Sequence, residues 1–254
     1  MSKVLLVNDD GLFAPGLAAL RKSVKESSAI TVIAPDQEKS GMSQAITVNQ
    51  PLRLSEVERG YMLDGTPADC VKMGLQGLKL TPDFILSGIN NGSNLGWDVL
   101  YSGTVGAAME GALHGVPSLA FSLCGRATPE SFEIASTIVH RLLYEQPGFL
   151  IRSELIPAGG ILNVNIPALP MDKIKGLRLT RLGVRNYDGV MQRRTDPRGN
   201  DYYWMGGVPI PPDSDELDLD VVAVEQGYVS ITPLKCDTTF FEAIPGLLGE
   251  LNGE

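Results

Sequence analysis

Short uninterrupted apolar runs trade places with stretches of helical spacing through the first two thirds of the chain. An apolar run of four to eight residues reads as a strand buried on both faces, and a 3.6-residue recurrence as an amphipathic helix. Val4–Val7 is then a strand, Pro15–Lys25 a helix with Leu17 and Leu20 on its apolar side, and Ile30–Ala34 the next strand, closed by Pro35-Asp36. Ile46–Leu54 and Tyr61–Leu63 read as short β segments. Thr66-Pro67-Ala68-Asp69 is a helix start: the threonine caps, the proline takes the first turn, and the aspartate stands three residues after the cap. Phe84–Ile89 is a buried strand running into Asn90-Asn91-Gly92, Gly103–His114 a helix of small residues, and Ser118–Ser122 another strand. Glu130–Glu145 is an amphipathic helix and Ile161–Ile166 a further strand. This order predicts an α/β protein with a mostly parallel sheet, helices on both faces, and ligands beyond the carboxyl ends of the strands.

After about residue 170 the pattern changes. Leu177–Leu182, Tyr202–Met205 and Val221–Thr232 read as strands separated by polar and proline-rich segments, with no helix between them. Extended β hairpins and a final helix over Thr239–Leu251 are expected. The acidic stretch Asp213–Asp220 reads as a solvated hairpin edge, where charge discourages unwanted strand pairing. The 254 residues suit one domain, with a core over about 1–170 and an extension over about 171–254.

Composition removes several function classes. A net charge of −9 argues against binding nucleic-acid polymers or anionic membranes. It does not argue against a small phosphorylated ligand, because one bound cation reverses the field locally. The three cysteines, Cys70, Cys124 and Cys236, have no CxxC spacing, which disfavours a disulfide framework or zinc cage and suits a reducing cytosol. No secretory leader and no apolar stretch of membrane-spanning length is visible, so a cytoplasmic protein without membrane attachment is expected.

The chemistry starts where the first strand ends, in Val4-Leu5-Leu6-Val7-Asn8-Asp9-Asp10-Gly11. Successive strand residues face opposite ways, so two adjacent aspartates can address one site only where the backbone turns. Crowded carboxylates repel, and either one is protonated or a cation lies between them. A hard, oxygen-only site suits Mg²⁺, Mn²⁺ or Ca²⁺. Three further segments contribute: Asp36–Ser43, Ser87–Gly96 and Tyr101–Gly106. Their inventory of Asp, Ser and Asn contains no histidine or cysteine, which excludes a zinc-like centre. Ser102-Gly103-Thr104 precedes a helix whose free amides attract anions; the two hydroxyls add donors, and Gly103 and Gly106 allow close approach. A cation beside an anion hole is what phosphoryl hydrolysis requires. The segment is neither a P-loop, since no Gly-Lys-Ser/Thr follows, nor a full dinucleotide fingerprint.

Taken together the motifs resemble those of the SurE (survival protein E) family of metal-dependent nucleotidases. They are VLLVNDDG at the start, APDQEKSG at 34–41, LDGTPADCVK at 63–72, LSGINNGSNLG at 86–96, DVLYSGTVGAAMEGA at 98–112 and GYVSITPL at 227–234. The resemblance implies a Rossmann-like core and a C-terminal β extension used in homodimers or homotetramers. It implies that Asp9 and Asp10 ligate one Mg²⁺ or Mn²⁺ per subunit (Ca²⁺ can substitute) with Ser40 and Asn90. It implies that Asn94, Ser102, Gly103 and Thr104 hold the substrate phosphate, and that nucleoside 5′- and 3′-monophosphates are hydrolysed. Asn91, Ser93 and Trp97 are positions left free to tune the substrate.

Direct attack by an activated water is expected, because the aspartates are adjacent and not spaced Asp-x-Asp as in aspartyl-phosphate enzymes; either aspartate could act as base. Rival readings are a non-catalytic nucleotide or metal sensor, a broad acid phosphatase or short-chain polyphosphatase, and a sugar-nucleotide transferase, for which no second-substrate motif is present. His114 and His140 are expected to pack or face solvent, Cys70 to be a buried thiol, and Trp97 to be structural or exposed. Tyr202, Tyr203 and Trp204 divide among an oligomer contact, hairpin packing and a pocket wall.

Overall fold

The computed structural model describes residues 2–24, 26, 28–145, 156, 159–189 and 191–252. Its elements run β1 (Lys3–Val7), α1 (Pro15–Ser23), β2 (Ala29–Pro35), β3 (Leu54–Val57), β4 (Gly60–Leu63), α2 (Pro67–Lys72), β5 (Phe84–Asn91), α3 (Gly103–Leu113), β6 (Ser118–Cys124), α4 (Pro129–Tyr144), β7 (Gly160–Pro167), β8 (Leu177–Leu179), β9 (Met191–Thr195), β10 (Asp201–Met205), α5 (Asp220–Glu225), β11 (Val229–Lys235) and α6 (Ile244–Asn252). The helix expected over Pro15–Lys25 ends at Ser23, and Lys25 lies outside the described residues.

Alternation along β1 shows how the two faces are filled. Val4 and Leu6 share a core with Leu17 and Leu20 of α1 and Phe132 and Leu142 of α4. Leu5 and Val7 face the other way, onto Val71 of α2 and Ala107 of α3. Period-two strand geometry thus separates two apolar layers, one on each side of the sheet. The nine strands are ordered β3-β4-β2-β1-β5-β6-β7-β11-β8. The pairs from β4 through β2, β1, β5 and β6 to β7 are parallel, whereas β3 runs antiparallel to β4 and β11 antiparallel to β7. The chain leaves β1 towards β2 on one side and returns to β5 on the other, so the topological switch lies between β1 and β5.

The structure corrects four sequence-based expectations. Residues 46–53 are not a strand; β3 begins only at Leu54. The backbone there is satisfied by side chains: Thr47 N and Oγ1 donate to the Asp69 carboxylate at 2.9 and 2.6 Å, and Arg53 N donates to Asp64 Oδ1 at 2.6 Å. Val221–Thr232 is not one strand. Its first part is helix α5, buried on every side from Asp220 to Val224, and only Val229 onward joins the sheet. A β-branched run reads as strand, but here Asp220, the first residue of α5, is buried and bonded to Gly96 and Gly183, and the chain after Leu219 turns into a helix. The terminal helix begins at Ile244, after a single 3₁₀ turn over Phe241–Ala243. The acidic stretch is also more than a solvated edge: Glu216 and Asp218 pair with Arg181, and Asp220 is fully buried.

Candidate active site

The end of β1 turns on two devices. Asn8, fully buried, donates its amide to Gly11 O at 2.9 Å, and Gly11 takes φ +99°, a region open to glycine at little cost. The turn sets Asp9 and Asp10 at the switch point on different sides. Asp9 is buried and faces α3, where Thr104 donates its hydroxyl to Oδ1 at 2.6 Å. Asp10 is half-buried and faces β5, accepting the Asn91 amide at 3.1 Å. Burial pushes the Asp9 carboxyl up to about 6, with the Thr104 hydrogen bond opposing and the Asp10 charge adding to the rise. Burial also raises Asp10, and nearby Glu38 adds to it.

The loop after β2 closes over this turn, with Lys39 N donating to Asp9 O at 2.8 Å. The next residue, Ser40, is exposed and donates its hydroxyl hydrogen to Glu38 Oε1 at 2.8 Å, which leaves its oxygen lone pairs for a cation. Asn90, at the end of β5, commits its amide nitrogen to Gly92 O at 3.0 Å and so keeps its side-chain oxygen as the remaining donor of electrons. Asp9, Asp10, Ser40 and Asn90 therefore come to the carboxyl ends of β1, β2 and β5. Among the described residues no cluster of three or more His, Cys, Asp or Glu side chains occurs, and what gathers here is two carboxylates with neutral hydroxyl and amide oxygens.

The start of α3 is pressed against Asp9. A Cβ on Gly103 would stand 3.0 Å from Asp9 Cβ, 3.2 Å from its Oδ2 and 3.1 Å from Pro67 Cγ, so only glycine allows the approach without displacement. Ser102 is the N-cap and accepts the Val105 amide at 3.1 Å, keeping its own hydroxyl hydrogen free. The amides of Gly103 and Thr104 have no intrahelical acceptor and face outward from the helix entrance. Thr104 differs from expectation: its hydroxyl hydrogen serves Asp9, and its backbone amide is shared with the same carboxyl.

Asn94 is buried more deeply than its motif suggested. Its amide nitrogen donates to Ser122 Oγ at 2.7 Å, its backbone N–H to Asn165 Oδ1 at 2.9 Å, and its carbonyl accepts from Asn163 and Asn165 at 2.8 and 2.9 Å. Sequence reasoning missed these partners. The signal was present in Ile-Leu-Asn-Val-Asn-Ile-Pro: two asparagines at i and i+2 put polar groups on one side of a strand that is buried throughout.

The remaining candidates divide cleanly. His114 lies beside Glu110 at 3.1 Å, and His140 Nδ1 lies 2.8 Å from Ser23 O, so both serve packing away from the site. Cys70 is a buried free thiol whose pKa is raised well above the ordinary value by burial. Trp97 is exposed. Tyr202, Tyr203 and Trp204 stand exposed on the antiparallel β9–β10 hairpin.

Comparison with known proteins bears on this geometry. Residues 4–189 match the family described as Survival protein SurE. The chain belongs to the SurE family. A protein of Desulforudis audaxviator named 5′-nucleotidase SurE is 48% identical over 253 residues, covering 96% of each chain. Another of that name from Pseudomonas putida is 46% identical over 253 residues and 99% of each chain. The crystal structure of SurE protein from Aquifex aeolicus superposes with a TM-score of 0.80 at 40% identity, covering 98% of this chain and 99% of that one. The SurE fold therefore extends past the matched family region into the hairpin and terminal helix.

Proposed function

We propose that the chain hydrolyses nucleoside monophosphates to nucleoside and phosphate with one divalent cation per subunit. The observation that carries this reading is the contact between Asp9 and the start of α3. An acid that can hold a cation is pressed against a helix entrance that can hold an anion. The relatives are named 5′-nucleotidase; nucleoside 3′-monophosphates present the same ester to the same groups.

A cation fits the residues present. Asp9 is a buried carboxylate whose one close partner is the Thr104 hydroxyl, its pKa pushed to about 6 by burial, and its neighbour Asp10 adds like charge. The oxygen-only donors suit Mg²⁺ or Mn²⁺ over zinc. Asp9 and Asp10 would hold the ion with carboxylate oxygens, Ser40 and Asn90 with neutral ones. Bound there, the ion supplies a polarised phosphoryl oxygen and an activated water. Ser102 Oγ, the amides of Gly103 and Thr104, and the Asn94 amide hold the other phosphate oxygens. Thr104 fixes the rotamer of Asp9, and an aspartate oxygen can take a proton from the attacking water. With both aspartates facing the ion, neither would be free as a nucleophile; a water would attack phosphorus in line, its proton passing to an aspartate oxygen, and the ribose oxygen would leave as the alcohol, taking a proton from solvent.

Among the described residues no helix is long and apolar enough to cross a membrane. Three free thiols suit a reducing compartment, and we place the activity in the cytosol. The exposed Tyr203, Trp204 and Met205 on the hairpin, with Leu247 and Leu251 of α6, are the surfaces for homodimer or homotetramer assembly. Phosphate release from AMP or GMP, abolished by EDTA and restored by Mn²⁺, is the expected result. Binding of AMP with no release under any divalent ion would make the protein a sensor instead.

A further inference from the structure

The loop between β5 and α3 carries Asn94, and the groups that shape it come from the far end of the chain. Arg185 Nη1 donates to Ser93 Oγ at 2.5 Å and to Asp98 Oδ2 at 2.6 Å. Tyr187 donates its hydroxyl to the same Asp98 oxygen at 2.5 Å. Gly96 N donates to Asp220 Oδ2 at 2.8 Å, while Asp220 Oδ1 accepts the amides of Gly183 and Val221 at 2.8 Å each. The two backbones are in direct apposition: a Cβ on Gly96 would stand 2.6 Å from Gly183 O and 3.2 Å from Arg185 Cβ. Loop positions 93, 96 and 98 are thus held by residues 185, 187 and 220, from 87 to 124 positions away along the chain. The Arg185–Asp98 pair is shielded, with side chains 17% and 21% exposed, and Asp220 is fully buried.

The loop needs such support. Asn94 is bonded to β6 and β7, but on either side of it Gly92 and Gly96 take φ +143° and +54°, so the chain flanking Asn94 is conformationally permissive and could shift it unless held. We propose that Arg185 and Asp220 are positioning residues that hold the 93–98 loop in the shape that presents Asn94 to the substrate phosphate. The C-terminal extension is thereby part of the catalytic apparatus as well as an assembly surface. This rests on the reading of Asn94 as a phosphate contact. The sheet holds Asn94 itself through Ser122, Asn163 and Asn165, and the clamp fixes the chain on either side of it at 93 and 96–98, so both set its position. Asn90 lies within β5, paired with Ser122 of β6, and neither of its neighbours is tied by the clamp. The clamp therefore governs phosphate and leaves the cation site alone.

The two tryptophans, Trp97 in the loop and Trp204 on the hairpin, make a direct probe possible. In a Trp204→Phe background, Arg185→Gln should raise acrylamide quenching of Trp97 and lower its anisotropy in the metal-free protein. The same variant should raise KM for AMP and the inhibition constant of inorganic phosphate by about 10- to 100-fold, the scale of a misplaced contact. Mn²⁺ affinity, measured by calorimetry, should stay within about twofold. Arg185→Lys should recover most of the loss, because an ammonium can still donate to both Ser93 and Asp98. Asp220→Asn should act in the same direction, and if it fails to fold, Arg185→Gln decides alone. An unchanged Trp97 signal with unchanged phosphate inhibition overturns the proposal, as does a parallel loss of Mn²⁺ affinity, which would mark general damage. If the wild type hydrolyses no nucleoside monophosphate, the functional reading fails, while the fluorescence and phosphate-binding results still decide the clamp.

Discussion

Two buried aspartates sit at opposite ends of the chain and behave oppositely. Asp220, at the start of α5, meets three backbone amides at 2.8 Å and ties three segments together. Asp9, at the end of β1, has one close partner, the Thr104 hydroxyl at 2.6 Å, with the backbone amides of Thr104 and of Asp9 itself as weaker ones. Burial raises both carboxyls. The difference is how much of the lost hydration the protein itself restores. An acid with its oxygens filled by amides is part of the framework, and one left short is poised for a ligand.

That contrast yields predictions of opposite sign. The largest is on activity: Asp9→Asn should lower nucleotidase turnover by at least about 10³-fold, since electrostatic groups at a phosphoryl site are worth several kcal/mol. The variant should keep the wild-type circular dichroism. Retained activity would remove Asp9 from the cation site.

On stability the two acids should diverge. Asp220→Asn places an NH₂ group where an oxygen accepted amides, and should cost about 2–4 kcal/mol in denaturant unfolding. Asp9→Asn should do the reverse in EDTA. With its pKa raised from 3.8 to about 6, folded Asp9 binds its proton more tightly than the unfolded chain does. Stability of the cation-free protein therefore falls as pH climbs from about 4 through about 6, by up to about 3 kcal/mol, and Asp9→Asn should remove that slope and raise Tm at pH 7. A flat pH profile of the wild type in EDTA would erase the distinction between the two sites.

Gly103→Ala sharpens the contrast at the helix entrance. The added methyl would meet Asp9 Cβ at 3.0 Å and Pro67 Cγ at 3.1 Å. The resulting displacement should reduce kcat/KM by about 10- to 100-fold while Tm shifts only slightly, because the alanine suits a helix. The smallest effect belongs to Glu110, outside the site. Although burial works against its ionised form, the hydrogen bonds from Lys72 and Gln44 outweigh it and lower its pKa. Its contribution is present above its ordinary pKa of 4.5 and fades below that. Glu110→Gln should cost about 1–2 kcal/mol at pH 7 and less at pH 3.

The parts of the site that could be read along the chain are those written in local patterns. The β1 run breaks at Asp9-Asp10-Gly11, and Thr66 with Asp69 forms the capping box its spacing indicated. Ser102, which directly precedes the predicted helix of small residues, caps α3. What was missed depends on pairing at long range. Val221–Val224 looks like strand because β-branched residues suit strands, and it is helix because Asp220 is anchored to Gly96 and Gly183. Thr47 looks like part of a strand and bonds a carboxylate across the turn. Asn163 and Asn165 look like polar interruptions in β7 and form the cradle of Asn94.

The sequence by itself determined the alternation of strands and helices, the acid pair at the end of β1 and the glycine-lined start of α3, because spacing and capping act within a few residues. Only the tertiary structure decided that Asp9 lies against Gly103, that β7 supports Asn94, and that Arg185 and Asp220 grip the same loop. Those contacts join residues dozens of positions apart, and their geometry follows from strand order, which no local pattern encodes.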